Sequence, residues 1–98
     1  MLGVPTAANA ASAGDVQTLS IPSNCQDASG YTYYHARCRA YIAPGEYYVD
    51  AWCVLGNDRR YVQGDLHAEG IYPWWGGWST VDCTSGFHIE SARLKYFG

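Results

Sequence analysis

From Tyr31 onward, apolar and polar residues alternate along the chain in short runs closed by Pro, Gly, Asn and Asp. A period of two marks strands with one buried face, and no stretch shows the 3.6-residue period of an amphipathic helix. The pattern predicts an all-β fold. In the first run, Tyr31 to Ile42, one face holds Tyr34, Ala36, Cys38, Ala40 and Ile42, and the other holds Tyr33, His35, Arg37, Arg39 and Tyr41. The first set reads as buried. After "APGE", where Pro44 and Gly45 suit a tight turn, a second run from Glu46 to Leu55 turns Tyr47, Val49, Ala51, Cys53 and Leu55 inward.

Joined as an antiparallel hairpin, the two runs pair Ile42 with Tyr47, Ala40 with Val49, Cys38 with Ala51 and Ala36 with Cys53, buried against buried. The outward pairs are then Tyr41 with Tyr48, Arg39 with Asp50 and Arg37 with Trp52: an aromatic pair, an ion pair and a cation–π pair. A third strand, Arg60 to Ala68 after "GNDR", is expected to turn Val62, Leu66 and Ala68 inward. Pairing Cys53 with Val62 sets Asp50 opposite Asp65, a like-charge contact that calls for Arg39 nearby or a shifted register. Farther on, Ser79, Val81 and Cys83 alternate inward, "TSG" turns the chain, and Ala92, Leu94 and Tyr96 end a last strand flanked by Arg93 and Lys95. Phe87 and Ile89 are out of phase with that face, which predicts a bulge near Glu90 and Ser91.

A chain of 98 residues supports one domain with a modest core, the kind that benefits from covalent bracing. Cys25, Cys38, Cys53 and Cys83 contain no C-x-x-C pair, so disulfides are expected in place of a zinc ribbon or redox motif. On the hairpin register Cys38 and Cys53 sit diagonally, where bridging geometry is poor. Two connectivities remain, and 25–38 with 53–83 is favoured because its second bridge ties the sheet edge to the strand after the tryptophan loop. The expected architecture is a small antiparallel β-sandwich or flattened barrel over residues 19–98.

Residues 1–18 read as a truncated signal peptide or flexible tail. "MLGVPTAANAASAGD" is small and apolar and holds two A-x-A triplets, Ala8-Asn9-Ala10 and Ala11-Ser12-Ala13. With the cysteines, this points to a secreted, extracellular protein. No stretch approaches the roughly 18 apolar residues of a membrane span.

A net charge of −3 with six basic residues argues against nucleic acid, whose phosphates call for a basic patch. Catalysis is not expected either. His35, His67 and His88 fall on separate elements, and no nucleophile elbow, phosphate-binding loop or dinucleotide fingerprint occurs. Asp50 and Asp65 on an open sheet lack the cleft that paired glycosidase carboxylates require. His35 and His67 with Asp65 or Glu69 have no recognised metal-ligand spacing, so no metal and no cofactor is expected.

What remains is aromatic. Arg37, Arg39, Tyr41, Tyr48 and Trp52, with Tyr33 and Tyr61, share the outward face of the expected sheet, and Tyr, Trp and Arg are the residue types enriched at binding hot spots. Either this face stays in solvent as a binding surface, or a second sheet or the tryptophan loop folds over it and makes it core. In "IYPWWGGWSTVDC", Pro73 and the Gly76-Gly77 pair make a turn, and Trp78 points outward by parity with Val81 and Cys83. One of Trp74 and Trp75 is expected to lid the core, and the other to form a gripping pair with Trp78.

"YYHARCRAYI", followed downstream by "GGWSTVDCTSGFHIESARLKYF", resembles the first strand and the closing segment of lactococcin-972-type bacteriocins. The resemblance implies a small secreted β-sandwich that blocks cell-wall assembly in sensitive bacteria. The sequential four-cysteine layout also resembles tendamistat-type α-amylase inhibitors, but "YTYYHAR" stands where that family carries its Trp-Arg-Tyr triplet, and no inhibitory residue transfers.

The expected function is therefore recognition of an extracellular protein, as an adaptor or accessory subunit of a secreted toxin or inhibitor system. Binding is assigned to Arg37, Arg39, Tyr41, Tyr48, Trp52, Trp75 and Trp78. In an adaptor, the N-terminal tail would dock into a partner as an added strand. The alternatives are a free-standing bacteriocin and a carbohydrate-binding module that uses the tryptophan loop.

Overall fold

The computed structural model describes residues 21–97. The leader and the docking tail expected of residues 1–18 lie outside the described residues. Eight strands follow one another: β1 (Cys25–Ser29), β2 (Tyr33–Ala40), β3 (Glu46–Leu55), β4 (Asp58–Gln63), β5 (His67–Ala68), β6 (Gly70–Ile71), β7 (Ser79–Asp82) and β8 (His88–Phe97). They form two four-stranded sheets.

Each sheet is organised about one central strand. In sheet 1, β2 is flanked by β1 on one side and by β7 and β6 on the other; in sheet 2, β3 is flanked by β8 on one side and by β4 and β5 on the other. All pairings are antiparallel except that of β6 with β2. The expected all-β sandwich with two disulfides is what the chain forms.

The hairpin is not. β2 and β3 share no hydrogen bonds of a ladder; the chain crosses at Tyr41–Gly45 from one sheet to the other. The two inward sets still meet, but across the interior. Tyr34 and Ala36 from β2 pack with Val49, Ala51 and Cys53 from β3, joined by Val81, Cys83, Phe87, Ile89 and Ala92. A second cluster gathers Cys25, Cys38 and Tyr47, with Ile21 and Leu94 packed against it. Ile42, past the end of β2, and Leu55, the last residue of β3, both expected inside, are exposed. The expected outward pairs Tyr41 with Tyr48, Arg39 with Asp50 and Arg37 with Trp52 are all broken, because Tyr41 lies in the crossover and the members of the other two pairs stand in different sheets.

The third strand is also corrected. β4 pairs Cys53 with Arg60 and Ala51 with Val62, so Asp50 faces Gln63 and the clash with Asp65 does not arise. Beyond Gln63 the chain leaves the ladder before rejoining β3 as β5, and Leu66 and Ala68 are exposed. Ser79 of the opposite sheet explains the break. Its fully buried Oγ accepts from the Val49 N–H at 3.1 Å and donates to the Asp65 carbonyl at 2.6 Å, standing in for a strand neighbour. Gly64 is needed there, since a Cβ would lie 2.8 Å from both Ser79 Oγ and the Thr80 carbonyl.

The bulge falls where the phase change put it. Trp52 pairs with Ser91 and Cys53 with Ile89, leaving Glu90 as the extra residue, so β8 buries Ile89 before it and Ala92 after it. The two bridges are Cys25–Cys38 and Cys53–Cys83. The first joins directly paired residues of β1 and β2, and the second staples β3 of sheet 2 to the end of β7 in sheet 1.

Candidate functional site

Outward residues of a strand two apart stand on the same face, about 6.8 Å apart along it. His35, Arg37 and Arg39 of β2 therefore line up on the outer surface of sheet 1. The segment between β6 and β7 lies over this row. It is tied down by hydrogen bonds from the Tyr72 N–H to the Ala40 carbonyl at 2.8 Å and from the Gly76 N–H to the Cys38 carbonyl at 3.0 Å. Tyr47 donates from inside the core to the Gly77 carbonyl. Gly76 permits this closeness, because a Cβ there would sit 2.5 Å from the Tyr47 hydroxyl and the Ala68 carbonyl.

The result is a stacked ribbon. The Arg37 guanidinium lies 4.4 Å from the Trp78 ring centroid and 4.9 Å from that of Trp75; the Arg39 guanidinium lies 4.0 Å from Trp75 and 4.4 Å from Tyr72. At one end His35 packs on Trp78 with centroids 4.2 Å apart, and at the other Tyr41 stacks on Tyr72 at 4.8 Å. Rings and cations alternate along the strand.

The charges on this ribbon are not balanced. Among the described residues, the ion pairs are Arg59 with Glu90 and Arg93 with Asp50, and neither Arg37 nor Arg39 has a carboxylate partner. Arg37 donates to Gln26 Oε1 at 3.0 Å, and Arg39 Nη1 to the Pro73 carbonyl at 2.9 Å. Arg39 Nε is sealed without an acceptor.

Five of the seven expected binding residues, Arg37, Arg39, Tyr41, Trp75 and Trp78, thus belong to one face. Tyr48 and Trp52 do not. They stand on the outer face of sheet 2, where Tyr48 packs against Phe97 and Trp52 against Tyr61 and the Arg59 guanidinium. Both alternatives for the arginine face are partly realised, since the tryptophan loop covers β2 yet leaves Trp78 39% exposed. Neither Trp74 nor Trp75 lids the core: Trp74 is 75% exposed, and Trp75 is wedged between the arginines on the outside. Tyr72 was not an expected member. No periodicity marks it, and only the path of the loop brings it to Arg39.

Three buried or shielded polar groups hold the frame. Tyr34 donates to Asp27 at 3.0 Å, and burial, reinforced by that carboxylate, pushes its hydroxyl well above the ordinary tyrosine range. Glu69, 5% exposed, accepts from the Gly45 N–H, Tyr96 and Asn24, pinning the crossover beside the ends of both sheets. Asp50, at an outward position but buried, accepts from Tyr61 at 2.6 Å and from Arg93 Nε at 2.9 Å. That hydrogen bond is the main reason the Tyr61 hydroxyl holds its proton more tightly than usual.

The three histidines meet separate rings: His88 stacks on Tyr31, while His35 against Trp78 and His67 near Tyr47 are tilted. Among the described residues, no group of three His, Cys, Asp or Glu side chains is placed to hold a metal ion, and no helix is long and apolar enough to cross a membrane. The chain matches no protein-family model, no curated protein and no solved structure.

Proposed function

We propose that this protein is a secreted, non-catalytic binding protein that recognises another extracellular protein through the outer face of sheet 1. The observation that carries the reading is the ribbon of Trp78, Arg37, Trp75, Arg39 and Tyr72, with two guanidinium groups that no carboxylate of the described chain neutralises. Stacking has already immobilised these side chains, so little rotamer freedom is left to lose on binding. Their outward N–H groups favour a partner that presents carboxylates, since charge-assisted bonds to a planar guanidinium are the strong ones.

A protein suits this face better than a glycan does. Two guanidinium groups without a carboxylate partner call for an acidic surface, which a neutral glycan lacks. Two disulfides in so small a domain suit an oxidising extracellular setting. The role of adaptor or accessory subunit in a toxin or inhibitor system is supported by the separation of aromatic surfaces onto opposite faces, which leaves one free while the other is occupied.

The test is capture from the producer's culture medium on immobilised wild type. A stoichiometric partner is expected, released by salt, lost with Arg37→Glu/Arg39→Glu and kept with Trp52→Ala. A partner held equally by the charge-reversed variant would contradict the reading.

A further inference from the structure

We propose that the outer face of sheet 2 carries a second, independent binding site: a shallow pocket that takes one neutral pyranose ring. The ladder assembles it. Trp52 stands between Tyr61 on β4 and Ser91 on β8, and in the next outward row Asp50 stands beside Arg93. These five residues border a cavity of about 300 Å³. That volume is at the lower end of small-molecule sites, the scale of a single ring.

The chemistry of the walls selects the ligand. Trp52, 37% exposed, and Tyr61 meet with centroids 5.5 Å apart and planes inclined by 59°, giving an angled apolar wall for the C–H face of a sugar. Beside Tyr61, on the same Asp50 carboxylate, stands the Arg93 guanidinium, whose side chain is 57% exposed and whose Nε and Nη2 are turned to Asp50. Its remaining N–H donors are left for ligand hydroxyls. Asp50 is 2% exposed and does not meet solvent; it fixes Arg93 and Tyr61 from beneath, which is the support a preorganised site needs.

Charge excludes the other candidates. Arg93 is neutralised by Asp50, and Arg59, stacked 4.2 Å over the Trp52 ring, is neutralised by Glu90 at 2.8 Å. An anion finds no free cation here and a cation finds no free carboxylate. A polyhydroxylated neutral ring uses both the wall and the fixed donors.

The test is an amide and indole NMR titration of the wild-type protein with D-glucose, D-galactose, D-mannose and N-acetyl-D-glucosamine, each at millimolar concentration. At least one is expected to shift the Trp52 indole N–H and the amides of Tyr61, Ser91 and Arg93 saturably. Trp52→Ala removes the wall and Ser91→Trp fills the cavity. Each should weaken binding by at least about tenfold, while the core amides of Tyr34 and Val49 keep their positions as proof of fold. Arg37→Glu/Arg39→Glu should bind the sugar as wild type does, which separates this site from the protein-binding face. The proposal falls if none of the four sugars shifts these signals, if the shifts survive both pocket variants, or if they map to Trp74, Trp75 and Trp78.

Discussion

Arg39 is clamped under Trp75, its guanidinium 4.0 Å from the indole centroid and its Nε sealed from any acceptor. A cation held this way is already partly dehydrated and committed to one orientation, so a carboxylate that approaches its free edge gains more than it would at a mobile surface arginine. Removing both cations should be costly. In Arg37→Ala/Arg39→Ala, loss of two charge-assisted contacts at about 1.5–3 kcal/mol each predicts at least a hundredfold weaker partner affinity. Calorimetric titration checks this. The wild-type affinity should also fall with added salt, and that of the variant should not.

Ser79 predicts a stability effect out of proportion to its size. Ser79→Ala removes one oxygen and leaves the buried Val49 N–H and the Asp65 carbonyl without that partner. An unmet buried polar group costs roughly 1–3 kcal/mol. Urea unfolding of Ser79→Ala should show a loss in that range, whereas Thr80→Ala, one residue along and exposed, should leave the midpoint nearly unchanged.

The two bridges should not be equivalent. Cys25–Cys38 closes a separation of 13 residues between strands that are already paired, whereas Cys53–Cys83 closes 30 residues and joins the sheets. Loop-closure scaling alone favours the second by about 0.7 kcal/mol, within a total of roughly 2–5 kcal/mol for each. Cys53→Ala/Cys83→Ala should therefore have a lower urea midpoint than Cys25→Ala/Cys38→Ala. The reverse order would contradict the stapling role.

Alkaline pH should unfold the protein in a specific window. Burial is the leading cause of the raised values at Tyr34, Tyr47 and Tyr96, and the hydrogen bond to Asp50 is the leading cause at Tyr61. In each case the folded state binds the proton more tightly than the unfolded state. The stability that follows is whole below the ordinary tyrosine value of about 10 and is lost as pH climbs above it through the raised values. Tyrosinate absorbance in the native protein should lag behind that in denaturant. Tyr34→Phe should lose less stability than wild type between neutral pH and about pH 11.

Much of the interior was legible in the sequence because alternation states which way each side chain points. The inward residues from Tyr34 to Ala40 and Tyr47 to Cys53, the inward Ser79 and Val81 and the bulge at Glu90 follow from parity, and of the two connectivities left open the favoured one, Cys25–Cys38 with Cys53–Cys83, is the one formed. Alternation does not name the neighbouring strand. β2 and β3 show the same pattern whether they lie side by side or face each other across a core, and the outward pairs Arg39 with Asp50 and Arg37 with Trp52 matched by chemistry without being in contact. Cys38 and Cys53 stay unbridged because Cys38 directly faces Cys25 on β1 and Cys53 reaches Cys83 across the core; the diagonal register that argued against joining them does not form. The loop was less legible still. Which rings meet the arginines depends on where Tyr72 and Gly76 anchor to β2, and no period records that.

The outer face of sheet 1, not that of sheet 2, should meet the protein partner. Hydroxyl-radical footprinting of side chains in the free protein and in the captured complex reads this directly. Tyr41, Tyr72, Trp75 and Trp78 should become protected on binding, while Trp52 and Tyr61 keep their reactivity. Protection of Trp52 and Tyr61 with the Trp75 and Trp78 ribbon left reactive would contradict it.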